Sequence, residues 1–399
     1  GNISLRLKMH TPQKIIFVIP WYGKDATGGA EIQCKTLAEH LHESGLDIEI
    51  YTTCSKQFQG EWKDDLKPGK YLEDQISVTR FKLDQRNKPL FDSINQKIIS
   101  LQKISLQEEK DFFQNNINSK DLINAIKKDS TSLFIFMPYL YGTTFFGFKV
   151  HPERSILIPC IHDEGYAKMN LVKQMLSNVG AISFNSLSEK QFASSLTKLS
   201  KNEILGEGID FPQKEVEPKK FRDKHNLNKF ILCAGRKDEG KNTPLLVDYF
   251  CKYLEKNNSD LKLMLTGKGT VDIPTKFSKN IIDVYLSRDE LDDAYSASTI
   301  LCLPSINESF SRVIMESWTN KTPVLVNEKC NVTKNFCIES NGGLYFNNYS
   351  NFESCLNYFL NNPDMAKKLG ENGFNYVKKN YEWNTIVNSY VDFFQTIKN

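Results

Sequence analysis

Short apolar runs alternate with amphipathic stretches along most of the chain. The apolar runs, rich in β-branched and aromatic residues, predict buried strands, and the stretches between them, with apolar positions three and four apart, predict helices. The predicted strands are 14–19, 47–53, 76–83, 133–137, 155–160, 181–185, 203–205, 230–234, 260–266, 281–286, 299–303 and 323–327. Because buried strands alternate with helices, the pattern predicts parallel sheets with crossover helices, that is, an α/β fold.

The length of the chain, 399 residues, allows two such units. The segment GEGIDFPQKEVEP at 206–218 is rich in glycine, proline and charge, and predicts a domain boundary. We therefore predict one doubly wound, Rossmann-like unit over 1–212, a second over 213–380 and a last helix over 381–399. The polar residues 54–74 predict an irregular loop or insertion.

The candidate chemistry is densest in residues 299–327, which predict a strand, a loop, a helix over 310–320 and a second strand. Glu308 lies at the carboxyl end of the first strand, where open parallel sheets bind ligands, and Glu316 lies inside the helix. Both carboxylates can accept hydrogen bonds from the hydroxyls of a sugar or a ribose. In a simpler interpretation, Glu308 is a helix N-terminal charge and Glu316 a solvated surface residue.

Two further loops follow predicted strands of the second unit. GRKDEGKNTP, at 235–244, carries Arg236 and Lys241 ahead of a helix for which Thr243 and Pro244 suit the N-cap and first positions. Two cations at a helix N-terminus can clamp a pyrophosphate. A glycine turn at Gly267 follows the next strand, and the N–H groups of Ser309, Phe310 and Ser311 can hold an anion at the start of a later helix.

The first unit offers a glycine pair and a histidine at comparable positions. Gly28 and Gly29 come just before a predicted helix, where glycine permits close approach of backbone, and Glu31 follows them. His162 and Asp163 follow the strand 155–160. In the simpler alternative, Glu31 is a first-turn helix charge and His162 a structural histidine. Further along, Ser186 and Glu189 have the spacing of a helix capping box.

Composition narrows the possible partners and compartment. With 51 basic and 48 acidic residues, the net charge of +3 gives no bulk attraction to nucleic acid. The nine scattered cysteines predict buried free thiols in a reducing compartment. No apolar run is long enough to span a membrane, and the first ten residues do not have the apolar core of a secretory signal, so we expect a cytoplasmic protein. No early G-x-G-x-x-G fingerprint of a dehydrogenase occurs.

The ordered set of motifs resembles the family four retaining glycosyltransferases. The E-x7-E spacing of Glu308 and Glu316 ahead of the strand TPVLV matches the donor-site motif of that family, and the earlier pair Arg236 and Lys241 matches its two cations. The sequences NESFSRVIMESW, PVLVNEKCNV and SNGGLYF resemble members that build bacterial surface polysaccharides. The resemblance implies the GT-B fold, in which two Rossmann-like domains face across a cleft, with a last helix that packs back on the N-terminal domain.

The resemblance also implies a reaction and roles for residues. The reaction is retaining, metal-independent and cofactor-free transfer of a hexosyl or deoxyhexosyl group from a nucleotide-diphosphate sugar to a glycan. Arg236 and Lys241 would stabilise the leaving diphosphate. Glu308 would hold hydroxyls of the donor sugar, Glu316 would hold the ribose, and His162 would contact the transferred sugar.

Other matched positions complete the expected site. Gly28 and Gly29 would lie against the donor phosphate and the acceptor, with Glu31 and Asp163 on the acceptor side and Gly267 on the donor side. The segment 309–311 would hold the donor through backbone N–H groups. Here the sequence departs from the family, because serines stand at 309 and 311 where glycines are usual, and Lys321–Thr322 replaces the glycine expected before Pro323.

Partners and alternatives follow from the same resemblance. The acceptor would be a glycan or a lipid-linked glycan, and a lipid-linked acceptor would favour peripheral contact of the first unit with the inner face of the cell membrane. A neighbouring module upstream is a further option. Two rival functions remain: a GT-B nucleotide-sugar epimerase, and a catalytically silent module that binds glycan or scaffolds a complex.

Overall fold

The computed structural model describes residues 13–237 and 240–397. The chain divides into two compact units. The N-terminal unit contains the residues up to Gly208 together with those from Asn384 onward, and the C-terminal unit contains Ile209–Trp383.

The N-terminal unit is built on an eight-stranded sheet in the order β3-β4-β2-β1-β5-β6-β7-β8. Its strands are β1 (Ile15–Val18), β2 (Ile48–Thr53), β3 (Gly69–Glu73), β4 (Ile76–Phe81), β5 (Leu133–Phe136), β6 (Ser155–Leu157), β7 (Ala181–Phe184) and β8 (Asn202–Ile204). All neighbours are parallel except β3 and β4, which are antiparallel. Its first helices are α1 (Gly29–Glu43), α2 (Lys88–Ile99), α3 (Leu106–Gln114), α4 (Lys120–Lys128), α5 (Gly142–Gly147), α6 (Asn170–Asn178) and α7 (Leu187–Leu196).

The C-terminal unit is built on a six-stranded parallel sheet in the order β11-β10-β9-β12-β13-β14. Its strands are β9 (Phe230–Ala234), β10 (Lys262–Thr266), β11 (Ile281–Asp283), β12 (Ile300–Leu303), β13 (Val324–Asn327) and β14 (Gly343–Phe346). Its helices are α8 (Pro218–Lys224), α9 (Thr243–Asn257), α10 (Arg288–Ala297), α11 (Arg312–Thr319), α12 (Asn331–Ser340), α13 (Tyr349–Asn361) and α14 (Pro363–Asn380).

Burial explains why the apolar runs form central strands. Every residue of β1, β5, β9, β12 and β13 is buried. Strands covered by helices on both faces need continuous apolar sequence, which is the pattern that the chain shows. The predicted parallel α/β architecture is therefore confirmed, with strand ends that differ from the prediction by one to three residues in most cases.

The last helix, α15 (Trp383–Ile397), starts at the last residue of the C-terminal unit and otherwise belongs to the N-terminal unit. Its aromatic residues Tyr390, Phe393 and Phe394 are buried, and the Tyr390 hydroxyl lies 2.8 Å from Ser183 Oγ on β7. Lys201 Nζ also donates to the Thr396 carbonyl at 2.7 Å. The helix thus packs as a part of the N-terminal unit.

Three local predictions were wrong. Residues 54–74 are not wholly irregular, because they include β3, an edge strand whose side chains are mostly exposed and so lack an apolar alternation. Helix α11 starts at Arg312, two residues after its predicted start, because Ser311 has a positive φ of 78°. The helix α9 has Asn242, not Thr243, at its N-cap, with φ 61°.

Among residues 13–237 and 240–397, no helix combines the length and the apolar character that a membrane span requires.

Candidate active site

Two glycine loops touch at the carboxyl edge of the C-terminal sheet. Gly235 follows β9 and Gly267 follows β10, with φ angles of +116° and +126°. A Cβ at Gly267 would lie 2.1 Å from the Gly235 carbonyl oxygen, so the two backbones can approach only without side chains. Among the residues that the structure describes, a Cβ at Gly235 would meet nothing within 4 Å, so none of them fills the space beside this contact. The pair forms a cradle that a bulky anion can enter.

Lys241 and Glu308 meet beside this cradle. Lys241 Nζ donates to Glu308 Oε1 at 3.0 Å, and the side chains are 32% and 13% exposed. Asn242 Nδ2 donates to the Pro304 carbonyl at 3.1 Å, which ties the loop after β9 to the loop after β12. The structure therefore brings together a predicted cation and a predicted carboxylate that lie 67 residues apart. Arg236 is on the same loop as Lys241, directly after Gly235, and is exposed.

An ion pair that the sequence analysis missed stabilises the cradle. Lys237 is only 5% exposed, and its Nζ donates to Asp283 Oδ1 at the end of β11. The Lys237 N–H also donates to the Lys268 carbonyl at 2.9 Å. These contacts fasten the loop after β9 to the glycine turn after β10. A lysine next to Arg236 was visible in the sequence, but its partner was not, because Asp283 lies 46 residues away.

The segment 309–311 precedes helix α11 and does not form its first turn. Phe310 is 1% exposed and packs edge-on against Phe336 and Tyr381, with ring centroids 5.5 and 5.1 Å apart. Ser311 occupies the left-handed region, which a glycine would adopt at lower cost. Phe310 thus anchors the loop, and the backbone around it turns sharply just before the helix.

Glu316 has two partners, and both contact its Oε2 atom. The Tyr295 hydroxyl donates to Glu316 Oε2 at 3.1 Å, and Arg288 Nη1 lies 3.4 Å from the same oxygen. Burial alone would lower the pKa of Arg288, but the carboxylates of Glu316 and Asp292 raise it above its usual value. The Glu316 side chain is only 15% exposed, so Glu316 is not the solvated surface residue of the simpler interpretation.

In the N-terminal unit, Gly28 and Gly29 lie at the start of α1. A Cβ at Gly28 would lie 2.4 Å from Glu31 Oε2, because the Glu31 side chain folds back over the glycine. A Cβ at Gly29 would meet nothing within 4 Å. Burial raises the pKa of Glu31, although a bond to its own backbone N–H lowers it. A carboxyl group at this edge of the sheet is therefore held against the glycine pair.

His162 lies beyond the carboxyl end of β6 and contacts the carboxylate of Glu164. His162 Nε2 is 3.1 Å from Glu164 Oε2, and the Tyr139 hydroxyl donates to Glu164 Oε1 at 2.6 Å. Asp163 is largely exposed and lies 3.2 Å from Lys168. Tyr139 and Glu164 were not predicted from the sequence, although the close spacing of His162 and Glu164 is a local signal.

The capping box predicted for Ser186 and Glu189 forms only in part. Ser186 Oγ accepts from the Glu189 N–H at 3.1 Å. The Glu189 carboxylate instead accepts from the Asn185 N–H at 2.6 Å and from the Ile161 N–H at 2.8 Å. It therefore fixes the backbone immediately before His162. Burial raises the pKa of Glu189 to about 8 despite these two backbone bonds, with a further rise from nearby Glu207.

This buried carboxyl group gives a pH-dependent prediction for Glu189→Gln. In the unfolded chain the group ionises near its usual value of 4.5 and in the folded chain near 8, so the folded state holds the proton more tightly between these values. The folded protein then loses stability as pH rises through this window, by at most about 1.4 kcal/mol per pH unit. We expect the melting temperature of the wild type to fall relative to that of Glu189→Gln between pH 5 and pH 8.

Thermal melts from pH 5 to pH 9 test this expectation. Glu153→Gln, a change at a side chain that is 70% exposed, is the matched control and should leave the pH profile unchanged. If the melting temperatures of Glu189→Gln and the wild type change in parallel with pH, the raised pKa of Glu189 is contradicted.

Two adjacent acidic pairs, Asp64–Asp65 and Asp292–Asp293, have backbone and side-chain partners. Asp64 and Asp65 accept from the N–H groups of Leu83 and Lys56, at 2.9 and 3.0 Å. Asp292 accepts from Asn320 Nδ2 at 3.0 Å. Within the described part of the chain, no group of three or more His, Cys, Asp or Glu side chains is arranged to hold a metal ion.

One protein-family model matches the second unit. Residues 215–376 match the family model described as "Glycosyl transferases group 1". This range includes the glycine cradle, Lys241, Glu308 and Glu316. The C-terminal unit is therefore similar to group 1 glycosyltransferases over this range. No curated protein matches the chain at a significant level.

Solved structures define the fold of the whole chain. Sucrose-phosphate synthase from Thermosynechococcus elongatus superposes with a TM-score of 0.71 at 15% identity, covering 96% of this chain and 99% of that one. HepE from Anabaena, in complex with UDP and glucose, gives 0.66 at 14% identity with 96% and 99% coverage. WaaG, a glycosyltransferase involved in lipopolysaccharide biosynthesis, gives 0.66 at 12% identity with 95% and 99% coverage. The predicted GT-B fold with two Rossmann-like units is confirmed.

Proposed function

We propose that the chain is a metal-independent, retaining glycosyltransferase that moves a hexosyl or deoxyhexosyl group from a nucleotide-diphosphate sugar to a glycan in surface-polysaccharide synthesis. One observation carries the proposal: the Lys241–Glu308 pair at 3.0 Å beside the open glycine cradle, inside the range that matches the group 1 family model. An anion-binding cradle with a cation and a hydroxyl-binding carboxylate suits a sugar attached to a diphosphate.

Departure of the diphosphate is the step that the C-terminal unit would promote. Negative charge develops on the phosphate oxygens as the bond to the sugar breaks, and fixed cations and N–H groups stabilise it. Lys241 and Arg236 would supply the charge from the loop after β9, and the backbone N–H groups at 309–311 would supply donors. The Lys237–Asp283 pair holds the cradle rigid, so that little reorganisation is needed during the reaction.

The two carboxylates would bind different parts of the donor. Glu308, beside Lys241, would accept hydrogen bonds from hydroxyls of the sugar. Glu316 would hold the ribose through Oε1, since the contacts from Tyr295 and Arg288 go to Oε2. Retention follows from the family resemblance: the acceptor hydroxyl attacks on the face from which the diphosphate leaves, and a phosphate oxygen takes its proton.

The neighbouring structures support the choice of donor and acceptor classes. One GT-B neighbour is described as bound with UDP-2-fluoro glucose, and HepE as bound with UDP and glucose. WaaG is described as acting in lipopolysaccharide biosynthesis. We therefore propose a nucleotide sugar as donor and a glycan or lipid-linked glycan as acceptor. Gly28 and Gly29 would lie against the donor phosphate and the acceptor, with Glu31, His162 and Asp163 on the acceptor side. The nine free cysteines suit a cytoplasmic location.

Thermal shift with UDP, GDP, dTDP, ADP and CMP, each with and without EDTA, tests the proposal. A ligand at about 100 times its dissociation constant adds roughly 2.7 kcal/mol to the free energy of unfolding, which is an easily measured rise in melting temperature. We expect one nucleoside diphosphate to give this rise and EDTA to leave it unchanged. A rise abolished by EDTA would contradict metal independence.

A flat response to every nucleotide would favour the silent glycan-binding module. Conversion of a nucleotide sugar to its isomer with no acceptor present would favour the epimerase. Both outcomes would overturn the proposed transferase.

A further inference from the structure

A buried tyrosine, a carboxylate and the candidate histidine form a chain of contacts in the N-terminal unit. The Tyr139 hydroxyl donates to Glu164 Oε1 at 2.6 Å, and His162 Nε2 lies 3.1 Å from Glu164 Oε2. Tyr139 is 2% exposed, whereas the side chains of His162 and Glu164 are 32% and 26% exposed. The buried end of the chain therefore fixes a carboxylate whose other oxygen faces a partly exposed imidazole.

The direction of each hydrogen bond follows from chemistry. Burial, together with the negative charge of Glu164, raises the pKa of Tyr139 well above its usual value, so its hydroxyl keeps its proton at neutral pH. An ionised carboxylate can only accept, so a bond from His162 requires a proton on Nε2. A neutral imidazole has one such proton, which leaves Nδ1 as a hydrogen-bond acceptor.

The backbone around the histidine is also fixed. The Ile161 N–H donates to Glu189 Oε2 at 2.8 Å, and the Tyr139 N–H donates to the Pro159 carbonyl at 3.1 Å. Cys160, between these two anchors, has a positive φ of 51°. A non-glycine residue keeps this conformation only where its surroundings impose it. Both the backbone and the ring of His162 are therefore positioned by neighbouring groups.

We propose that Glu164, anchored by Tyr139, is a positioning residue that holds His162 in the Nε2–H tautomer, so that Nδ1 accepts a hydrogen bond from a hydroxyl of the transferred sugar. This inference rests on the proposed function, in which His162 contacts that sugar. It also specifies the chemistry of the contact, because a neutral Nδ1 acceptor binds a hydroxyl group and rejects a phosphate or carboxylate oxygen.

The tautomer can be read directly by nitrogen NMR of the full chain labelled with ¹⁵N-histidine, at pH 8. The chain has six histidines, so His162→Gln assigns the signal. We expect a protonated Nε2 and an unprotonated Nδ1 in the wild type. In Glu164→Gln the amide can donate to Nε2, so we expect a substantial fraction of the Nδ1–H tautomer. A wild-type His162 in the Nδ1–H form, or a spectrum unchanged in Glu164→Gln, would overturn the inference.

Tyr139→Phe is the second variant, because it keeps the carboxylate and removes only its anchor. We expect a mixed or broadened His162 signal in this variant. A His162 signal identical to that of the wild type would contradict the anchoring role of Tyr139. Glu153→Gln, a matched change at an exposed glutamate, should leave the signal as it is.

Kinetics with the nucleotide sugar identified by the thermal-shift screen completes the test. Glu164→Gln should lower kcat about tenfold and leave the dissociation constant of the nucleoside diphosphate, which lacks the sugar, unchanged. Equal weakening of diphosphate binding would indicate a general structural defect and refute a positioning role. The NMR experiment needs no turnover, so failure of the proposed function would leave the tautomer result standing.

Discussion

Lys241→Gln should lower turnover by about 10²- to 10³-fold, the range observed when one preorganised group that stabilises developing negative charge is removed. The glutamine amide can still donate to Glu308, so this change removes the positive charge while keeping a partner for a carboxylate that is only 13% exposed. The leaving diphosphate then lacks the fixed charge that the loop after β9 would provide.

Stability should change far less than turnover in this variant. A partly exposed ion pair contributes up to about 1 kcal/mol, and the amide recovers a part of it. Lys276→Gln is the matched control, because Lys276 also pairs with a glutamate, at 2.8 Å, but on the exposed surface. Steady-state kinetics and thermal melts of both variants compare the loss of turnover with the loss of stability. A Lys241→Gln enzyme with wild-type turnover would rule out the assigned role, as would equal losses of turnover and stability.

The central strands could be predicted from the sequence because a strand buried on both faces needs a continuous apolar run, which is visible within one segment. The strands β9, β12 and β13 consist of buried residues throughout, so apolar runs identify them without knowledge of their neighbours. The edge strand β3 lacks a continuous apolar run, because its residues are mostly exposed. Its pairing with β4 is a property of two segments together.

The candidate site was predictable to the extent that its residues stand at the ends of strands. Lys241 and Glu308 follow β9 and β12, and parallel strands bring such positions to one edge of a sheet. The missed residues act through partners that local sequence does not specify. Glu189 has the spacing of a capping box, yet its carboxylate reaches Ile161, 28 residues away. Nothing near Lys237 in the sequence indicates its partner, Asp283, which lies 46 residues away.

The positive φ of Ser311 shows another reason why the sequence did not predict part of the structure correctly. Glycine would have marked the turn before helix α11, but a serine gives no sign of a positive φ, so the predicted start fell two residues early. The conformation is imposed by packing of Phe310 against Phe336 and Tyr381, which are distant in sequence. Tertiary contacts here override the local preference.

Substitutions at the two glycines of the cradle should distinguish effects on stability from effects on nucleotide binding. Gly267→Ala places a Cβ 2.1 Å from the Gly235 carbonyl oxygen, and backbone cannot move aside cheaply. Together with its φ of +126°, this clash should cost about 3 kcal/mol of stability and displace the loop after β9. We expect a melting temperature lowered by several degrees and no response to the nucleoside diphosphate.

Gly235→Ala should behave differently, although its φ of +116° is similar. Its Cβ meets no atom of the described residues within 4 Å, so we expect the cost to stability to be conformational strain, about 2 kcal/mol. The methyl group would instead occupy the open space that we assign to the diphosphate, so the thermal shift with nucleotide should disappear. Gly60→Ala, with φ +85° and open surroundings in the N-terminal unit, is the control that carries strain without touching the cradle. A Gly235→Ala protein that folds and still gives the wild-type thermal shift would show that the diphosphate does not bind at this contact between β9 and β10.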